Sequence, residues 1–338
     1  MYKPKQEITV VIPVYNRKDS LQTCLEGLSI QTIRQKIRVI IVDDASSQAG
    51  IKELAESFSA SYYRNRKRFG SAYCKNIGIL NSDSEFILFL DSDINFLSDT
   101  TVQTMLNAIY TLPECAEVGG EALVDSNNEV KYVFGRNIDL SSGKSQCDYI
   151  PINSEIRGDA YWNYDYIPNS NCMIRRSIAI NLNGFDDAYN CIGEDKDFGF
   201  RVSKLGFKNY VVRDSVVHHK FSTQGRNKKT LHKLYKTQIR FYLRYFGLRE
   251  TIIMVYRYAI RILLQQDYPL NQHEHVLNDF ENYYRKEVLG FNPKLISSRI
   301  SGAYIRMVNV AVLVNAFGWN ILHQKGLTKQ GSSQVVLG

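Results

Sequence analysis

Short, nearly continuous apolar runs alternate with stretches of helical spacing at the start of the chain. Ile8–Val14, Ile37–Val42 and Phe86–Leu90 are dominated by branched and aromatic residues and show little polar alternation, which predicts strands buried on both faces. Between them, Asp19–Ser29 and Ile51–Ser59 place apolar residues three and four positions apart and predict helices. Strands that need cover on both sides, separated by helices, make an α/β layered domain around a parallel sheet. Ligands of such sheets bind beyond the carboxyl ends of the strands, so the residues that follow each run are the candidates for chemistry. They are Tyr15, Asn16 and Arg17; then Asp43, Asp44, Ala45 and Ser46; then Asp91, Ser92 and Asp93. No G-x-G-x-x-G follows the first run and no phosphate-loop motif occurs anywhere, which excludes the usual dinucleotide and P-loop sites.

The pattern changes twice further on. Residues 114–165 are of mixed polarity and lead into the aromatic patch Tyr161–Tyr166; from about Lys228 onward, long helical stretches rich in Arg, Lys, Tyr and Phe take over. A boundary near Thr223–Lys229 divides the chain into a first domain, residues 1–225, and a helical appendage, residues 226–338. Charge sharpens that division. The 338 residues carry a net charge of +8, yet residues 222–338 alone hold 17 Lys/Arg against 6 Asp/Glu. The remainder is slightly acidic, so the basic character belongs to the appendage and suits an anionic partner such as a phospholipid surface. Within it, Leu231–Phe246 and Thr251–Leu264 predict helices with apolar faces beside Lys233, Lys236, Arg240, Arg244, Arg257 and Arg261. Such helices either lie in a membrane interface or pack on a neighbouring domain. Ala303–Leu322 is apolar but interrupted by Arg306, Asn309, Asn315 and Asn320, which argues against a membrane span.

Two absences narrow the class further. The six cysteines form no C-x-x-C pair, which suggests neither a zinc ribbon nor a disulfide framework. The first apolar run is too short for a secretory signal and contains Pro13, so a cytoplasmic chain is expected.

Among the candidate residues, Asp91 and Asp93 are hard oxygen donors two positions apart at a strand end, a pattern that suits Mg²⁺ or Mn²⁺ or else a solvated turn. Asp43 and Asp44 either cap the following segment or accept from a nucleoside base or ribose hydroxyl. Downstream, Gly193-Glu194-Asp195-Lys196-Asp197 precedes an amphipathic helical stretch, where an acid is favoured by the helix dipole and can also act as a general base. His218 and His219 follow the apolar runs Tyr210–Val212 and Val216–Val217; neighbours on a strand face opposite ways, so only one of them can reach a site.

Taken in order, the segments Val11–Arg17, Val42–Ser46, Gly70–Ile79, Asp91–Asp93 and Gly193–Asp197 resemble glycosyltransferase family 2, inverting enzymes of the GT-A fold, and in particular bacterial polysaccharide and rhamnosyltransferase-like members. The resemblance covers roughly residues 7–222. It implies a Rossmann-like mixed sheet flanked by helices and a nucleotide-diphosphate sugar donor, UDP- or dTDP-linked. It further implies that Pro13, Tyr15, Asn16, Arg17, Asp43, Asp44, Lys75, Asn76, Asp91 and Ser92 handle that donor. Asp91 and Asp93 then bind its diphosphate through Mn²⁺ or Mg²⁺, with one histidine, His218 rather than His219, completing the metal shell. Asp195 becomes the base that deprotonates an acceptor hydroxyl, and Glu194 holds the acceptor or the sugar. Family members usually carry arginine at the place of Lys75, which keeps the charge here without the bidentate fork. The acceptor class implied is a glycan or a lipid-linked intermediate at the inner face of a membrane. A nucleic-acid module using the basic appendage leaves the strand-end acids unexplained, so no nucleic-acid partner is expected; a nucleotidyltransferase, which also uses paired aspartates and Mg²⁺, is the rival enzyme class.

Overall fold

The computed structural model describes residues 7–124, 130–139, 144–151, 161–190, 192–215, 217–219 and 230–264, with 313–314 and 317–318. The strands are β1 (Ile8–Val14), β2 (Ile37–Asp43), β3 (Ser61–Arg64), β4 (Phe86–Leu90), β5 (Ile94–Phe96), β6 (Cys115–Gly119), β7 (Glu121–Val124), β8 (Val130–Asp139), β9 (Lys144–Pro151), β10 (Tyr161–Tyr164), β11 (Asn171–Arg175), β12 (Lys208–Val212) and β13 (Val217–His219). The helices are α1 (Lys18–Ser29), α2 (Ile51–Ser57), α3 (Ser71–Leu80), α4 (Thr101–Thr111), α5 (Arg176–Asn181), α6 (Glu194–Lys204), α7 (Thr230–Tyr245) and α8 (Gly247–Leu264).

Two compact units result, one of residues 1–140 and 144–223 and the other of residues 141–143 and 224–338. In the first, an eight-stranded sheet runs in the order β10-β12-β6-β11-β4-β1-β2-β3. β1 lies parallel to β2 and β4, and β2 parallel to β3. The sheet is mixed rather than wholly parallel, because β11 runs antiparallel between β4 and β6. A smaller sheet is ordered β5-β13-β7-β8-β9, and its strands β5 and β7 follow β4 and β6 in the chain, with α4 between β5 and β6.

The strands are buried on both faces for the reason their composition suggests: each face has its own helices. One face packs Val10, Ile12, Val39, Ile41 and Leu88 against Leu21, Leu25 and Leu28 of α1 and Met105 and Ile109 of α4. The other packs Val11, Ile87, Phe89 and Ile174 against Ala72 and Ile79 of α3, Ile178 of α5, and Phe198 and Val202 of α6. Burying one such aliphatic side chain removes enough apolar surface from water to stabilise the fold by about 1.5–3 kcal/mol before chain entropy is counted. α3 lies so close to β1 that a Cβ at Gly78 would stand 2.3 Å from Cγ1 of Val11. Gly78→Ala is therefore expected to lower stability by about 1–3 kcal/mol, through overpacking, in denaturant unfolding of the whole chain.

In the second unit, α7 and α8 carry the expected helical pattern, each beginning earlier than the apolar spacing suggests. Ile239, Phe241 and Tyr242 of α7 are buried, as is Arg240. Along α8, Leu248, Ile252 and Tyr256 are exposed. Most of the apolar segment 303–322 lies outside the described residues; among these, no helix is long and apolar enough to cross a membrane.

Candidate active site

Parallel pairing of β1 with both β2 and β4 brings the carboxyl ends of the three strands to one edge of the large sheet. Asn16, just beyond β1, adopts the left-handed conformation with φ of 53°, which asparagine tolerates better than most residues. Its backbone N–H donates to Ser46 Oγ at 2.9 Å, and its side-chain Oδ1 accepts from the backbone N–H of Ser47 at 2.8 Å and of Gln48 at 3.1 Å. Asn16 thus ties the loop after β1 to the loop after β2. Pro13 pairs in register with Val42 just below that knot. The ring of Tyr15, next in the chain, is covered by the Arg68 guanidinium at 4.1 Å.

The two acids after β2 are engaged by protein donors. Asp43, fully buried, accepts from Ser46 N–H at 2.8 Å through one oxygen and from Tyr62 Oη at 2.6 Å and Arg64 at 2.5 Å through the other. Asp44 accepts from Asn65 and from the backbone N–H groups of Phe69 and Gly70, all at 2.8 Å. Of the two alternatives open in the sequence, local organisation is therefore visible in the structure: the pair shapes the basic loop 64–70 that enters α3. Arg68 and Arg64 carry no recognisable spacing signal; only the high density of cations in Arg64-Asn65-Arg66-Lys67-Arg68 marks the segment.

Beyond β4 the chain turns sharply, with the N–H of Ile94 donating to the Asp91 carbonyl at 3.3 Å. This turn lets Asp91 and Asp93 address the same volume, with Ser92 buried between them. Asp93 is almost fully buried and pairs with Arg17, while Asp91 remains about one-third exposed at 36%. The imidazole beside them belongs to His219, whose Nε2 lies 3.3 Å from Asp93 Oδ1 and 3.9 Å from Asp91 Oδ2. This corrects the preference for His218. β13 pairs antiparallel with β5 so that His219 stands opposite Ile94, the residue after Asp93, whereas His218 stands opposite Asn95; neighbours on a strand face opposite ways, and only His219 turns toward the acids. Burial pushes the Asp93 carboxyl up, but His219 and Arg17 outweigh it and hold the group below its ordinary value. One donor atom from each of Asp91, Asp93 and His219 lies within 4.8 Å of the others. Two carboxylates and an imidazole form a donor set that fits Mn²⁺ or Mg²⁺ with positions left for substrate oxygens.

A second cluster forms at the start of α6. Gly193 caps the helix in the left-handed conformation, φ 81°, and α6 begins at Glu194, three residues earlier than the amphipathic spacing suggests. Asp197 is consequently inside the first turn, fully buried and bound to Arg201 at 2.9 Å, while Arg201 also donates to the carbonyls of Leu182 and Gly184. Asp195 is half-buried, with one oxygen accepting from the Lys196 N–H at 2.8 Å. Glu194 is buried, and its carboxylate stands 3.8 Å from the Lys75 ammonium. Burial raises the Glu194 carboxyl to about 7; Lys75 opposes the rise and the charges of Asp195 and Asp91 add to it. Lys196, also buried, is driven down to about 7 by burial, against the pull of Asp195 and with the push of Arg136.

Lys75 and Asn76, assigned to the donor by the resemblance, have protein partners of their own. Lys75 lies against Glu194 and over the Phe185 ring at 5.4 Å. Asn76 donates to the Phe185 carbonyl at 2.9 Å and to Asp187 at 2.7 Å, and accepts from the Phe185 N–H at 2.7 Å. Both brace the acidic α6 entrance against α3 across more than a hundred residues of chain, a connection that local pattern does not encode.

The chain is similar to several known glycosyltransferases. An uncharacterized glycosyltransferase of Haemophilus influenzae is 32% identical over 119 residues, 33% of this chain and 40% of that protein. The amylovoran biosynthesis glycosyltransferase AmsB of Erwinia amylovora is 25% identical over 244 residues, 67% of this chain and 75% of that protein. The chain thus spans less than half of the first relative's length and three quarters of the second's. Among solved structures, the mannosyltransferase PcManGT from Pyrobaculum calidifontis, in complex with GDP-Man and Mn²⁺, superposes with a TM-score of 0.52 at 12% identity over 94% of this chain and 88% of that one. GalNAc-T7 with UDP, GalNAc and Mn²⁺ gives a TM-score of 0.52 at 15% identity, covering 84% of this chain and 59% of that one. At such low identity these two likenesses show the fold, the GT-A arrangement of a mixed sheet flanked by helices. The sequence pattern described as "Glycosyl transferase family 2" matches residues 9–182, more than half of the chain, and the chain belongs to that family.

Proposed function

We propose that the chain is an inverting, divalent-metal-dependent glycosyltransferase that moves a sugar from a nucleotide-diphosphate donor to an acceptor hydroxyl. The observation that carries this reading is the convergence of Asp91, Asp93 and His219 on one small volume at the end of β4, with the Glu194–Asp195 pair held ready at the start of α6. Asp91, Asp93 and His219 would hold Mn²⁺ or Mg²⁺, which when bound neutralises the charge gathering on the leaving diphosphate. Tyr15 and Arg68 offer a flat, cationic face at the end of β1, suited to a nucleoside base. Asp43, Asp44 and Asn16 hold the loops around that face in place.

On the acceptor side, Asp195 takes the proton from the hydroxyl as its oxygen forms a bond to the anomeric carbon. The bond from that carbon to the diphosphate oxygen breaks, its electron pair leaves with the nucleoside diphosphate, and the configuration at carbon inverts. Glu194, drawn to Lys75, fixes the first turn of α6 so that Asp195 faces the acceptor. A UDP- or dTDP-linked sugar is the donor class proposed, and a glycan or lipid-linked intermediate the acceptor class. The basic excess of residues 222–338 and the exposed stripe Leu248, Ile252 and Tyr256 on α8 support docking at an anionic membrane surface near a lipid-linked acceptor.

The donor assignment is tested by thermal unfolding of the full chain against a panel of nucleotide sugars with Mn²⁺. A donor at a hundredfold its Kd stabilises the folded state by about 2.7 kcal/mol, a shift of several degrees that should vanish when the metal is chelated. No shift with any nucleotide sugar, or equal shifts with and without metal, contradicts the proposal.

A further inference from the structure

The guanidinium of Arg17 rests on one of the proposed metal ligands. Its Nη1 pairs with Oδ2 of Asp93, while the other oxygen of that carboxylate, Oδ1, faces His219 Nε2 at 3.3 Å. The Asp93 side chain is almost closed off from solvent, whereas that of Arg17 keeps 22% of its surface exposed. The charge of a buried ligand is thus met by a side chain that still touches water.

The backbone on either side of Arg17 is pinned to the loop after β2. Asn16 binds Ser46 and Ser47, and the Lys18 N–H donates to Gln48 Oε1 at 2.9 Å. The Arg17 carbonyl accepts from the Leu21 N–H at 2.9 Å as α1 begins. A change of partner by the guanidinium therefore needs side-chain rotation and no movement of the chain.

A divalent cation joining Asp91, Asp93 and His219 has to share Asp93 with a positive group in direct contact with it. A neighbouring charge within about 4–6 Å typically moves an ionisation by about one to three pKa units, and the same Coulomb interaction acts on a bound cation. Arg17 consequently opposes a cation that arrives alone. A nucleoside diphosphate reverses the balance, because it brings several negative oxygens and a guanidinium fork binds phosphate oxygens in bidentate fashion.

We propose that Arg17 makes cation binding at this centre depend on the donor: it holds the Asp93 carboxylate against a lone metal ion, and the diphosphate, arriving with the metal, takes over the guanidinium. The proposal rests on Asp91, Asp93 and His219 being the metal ligands. The exchange is non-covalent, with the Arg17–Asp93 pair giving way to an Arg17–phosphate pair and an Asp93–metal contact. By linkage, the factor by which diphosphate tightens metal binding equals the factor by which metal tightens diphosphate binding.

The test measures the Mn²⁺ affinity of the full chain by calorimetry at neutral pH, without nucleotide and then with saturating UDP or dTDP. Wild type is compared with Arg17→Gln and Arg17→Lys, and with Arg17→Met should the glutamine variant fail to fold. Without nucleotide, Arg17→Gln is expected to bind Mn²⁺ at least roughly tenfold more tightly than wild type, and Arg17→Lys, which keeps the charge, to stay near wild type. The thermal midpoint of Arg17→Gln should start lower and rise further with Mn²⁺ alone than that of wild type. In wild type the nucleotide tightens Mn²⁺ binding, and in Arg17→Gln that factor should shrink at least roughly tenfold. Mn²⁺ binding no tighter in Arg17→Gln than in wild type overturns the proposal, since an Arg17 that only braced Asp93 would lower stability without raising metal affinity. An undiminished nucleotide factor, an Arg17→Lys variant that behaves like Arg17→Gln, or a gain that persists when Asp93→Ala is added to Arg17→Gln also overturns it. Failure of the metal assignment is a separate result, visible as unchanged Mn²⁺ affinity of Asp93→Ala alone in the presence of nucleotide.

Discussion

Replacing Asp195 by asparagine is expected to lower transfer by about three orders of magnitude while leaving the affinity for nucleotide nearly intact. General-base catalysis typically contributes about 10²–10⁴-fold, and the amide keeps the size of the side chain while losing the basic oxygen. The surroundings favour a loss confined to chemistry. Asp195 is half-buried at the mouth of α6, and the protein donor it meets is the neighbouring Lys196 N–H. Glu194, by contrast, is buried against Lys75. Glu194→Gln would leave the Lys75 ammonium buried without its charge partner, so a combined loss of stability and activity is expected there and the pair separates cleanly. Initial rates of nucleoside diphosphate release together with calorimetric nucleotide binding decide the matter; near-normal turnover in Asp195→Asn removes the base assignment.

The second large effect is expected at Asp93. Asp93→Ala should weaken metal-dependent donor binding by at least roughly a hundredfold, because even the outer partners of metal ligands are worth about 10–100-fold. The same substitution also releases Arg17, which pairs with Asp93 in the structure, so donor binding measured without metal provides the control. His219→Ala should follow in the same direction, and His218→Ala should spare the metal response. Calorimetry with Mn²⁺ showing unchanged affinity in Asp93→Ala, or a larger loss from His218→Ala than from His219→Ala, contradicts the proposed metal shell.

The parts of this architecture that were legible in the sequence are those written in local pattern. The runs that became β1, β2 and β4 are buried on both faces, and that demand shows as near-continuous apolar stretches. Because parallel strands in layered sheets present their carboxyl ends to ligands, the acids after β2 and β4 could be brought together before any contact was known. β11 carries a similar run but is antiparallel to β4, and strand direction leaves no trace in composition.

The less legible features all depend on distant pairing. His219 is selected by its register with β5, across a strand of three residues that follows the short turn Arg213–Ser215; the apolar run before the two histidines is too short to set their phase. Lys75 meets Glu194 through a contact between α3 and α6. Asp43 and Asp44 look like free ligands until β3 and the loop behind it deliver Tyr62, Arg64, Asn65 and Gly70 to them.

The central claim, metal-dependent sugar transfer with inversion, is tested most directly by incubating the full chain with the nucleotide sugar that stabilises it, Mn²⁺ and a glycan or lipid-linked acceptor, and assigning the anomeric configuration of the product by NMR. The prediction is a glycoside of configuration opposite to the donor's, formed with release of nucleoside diphosphate only when metal is present. A product of retained configuration, transfer that persists in the presence of a chelator, or release of pyrophosphate from a nucleoside triphosphate instead, contradicts it.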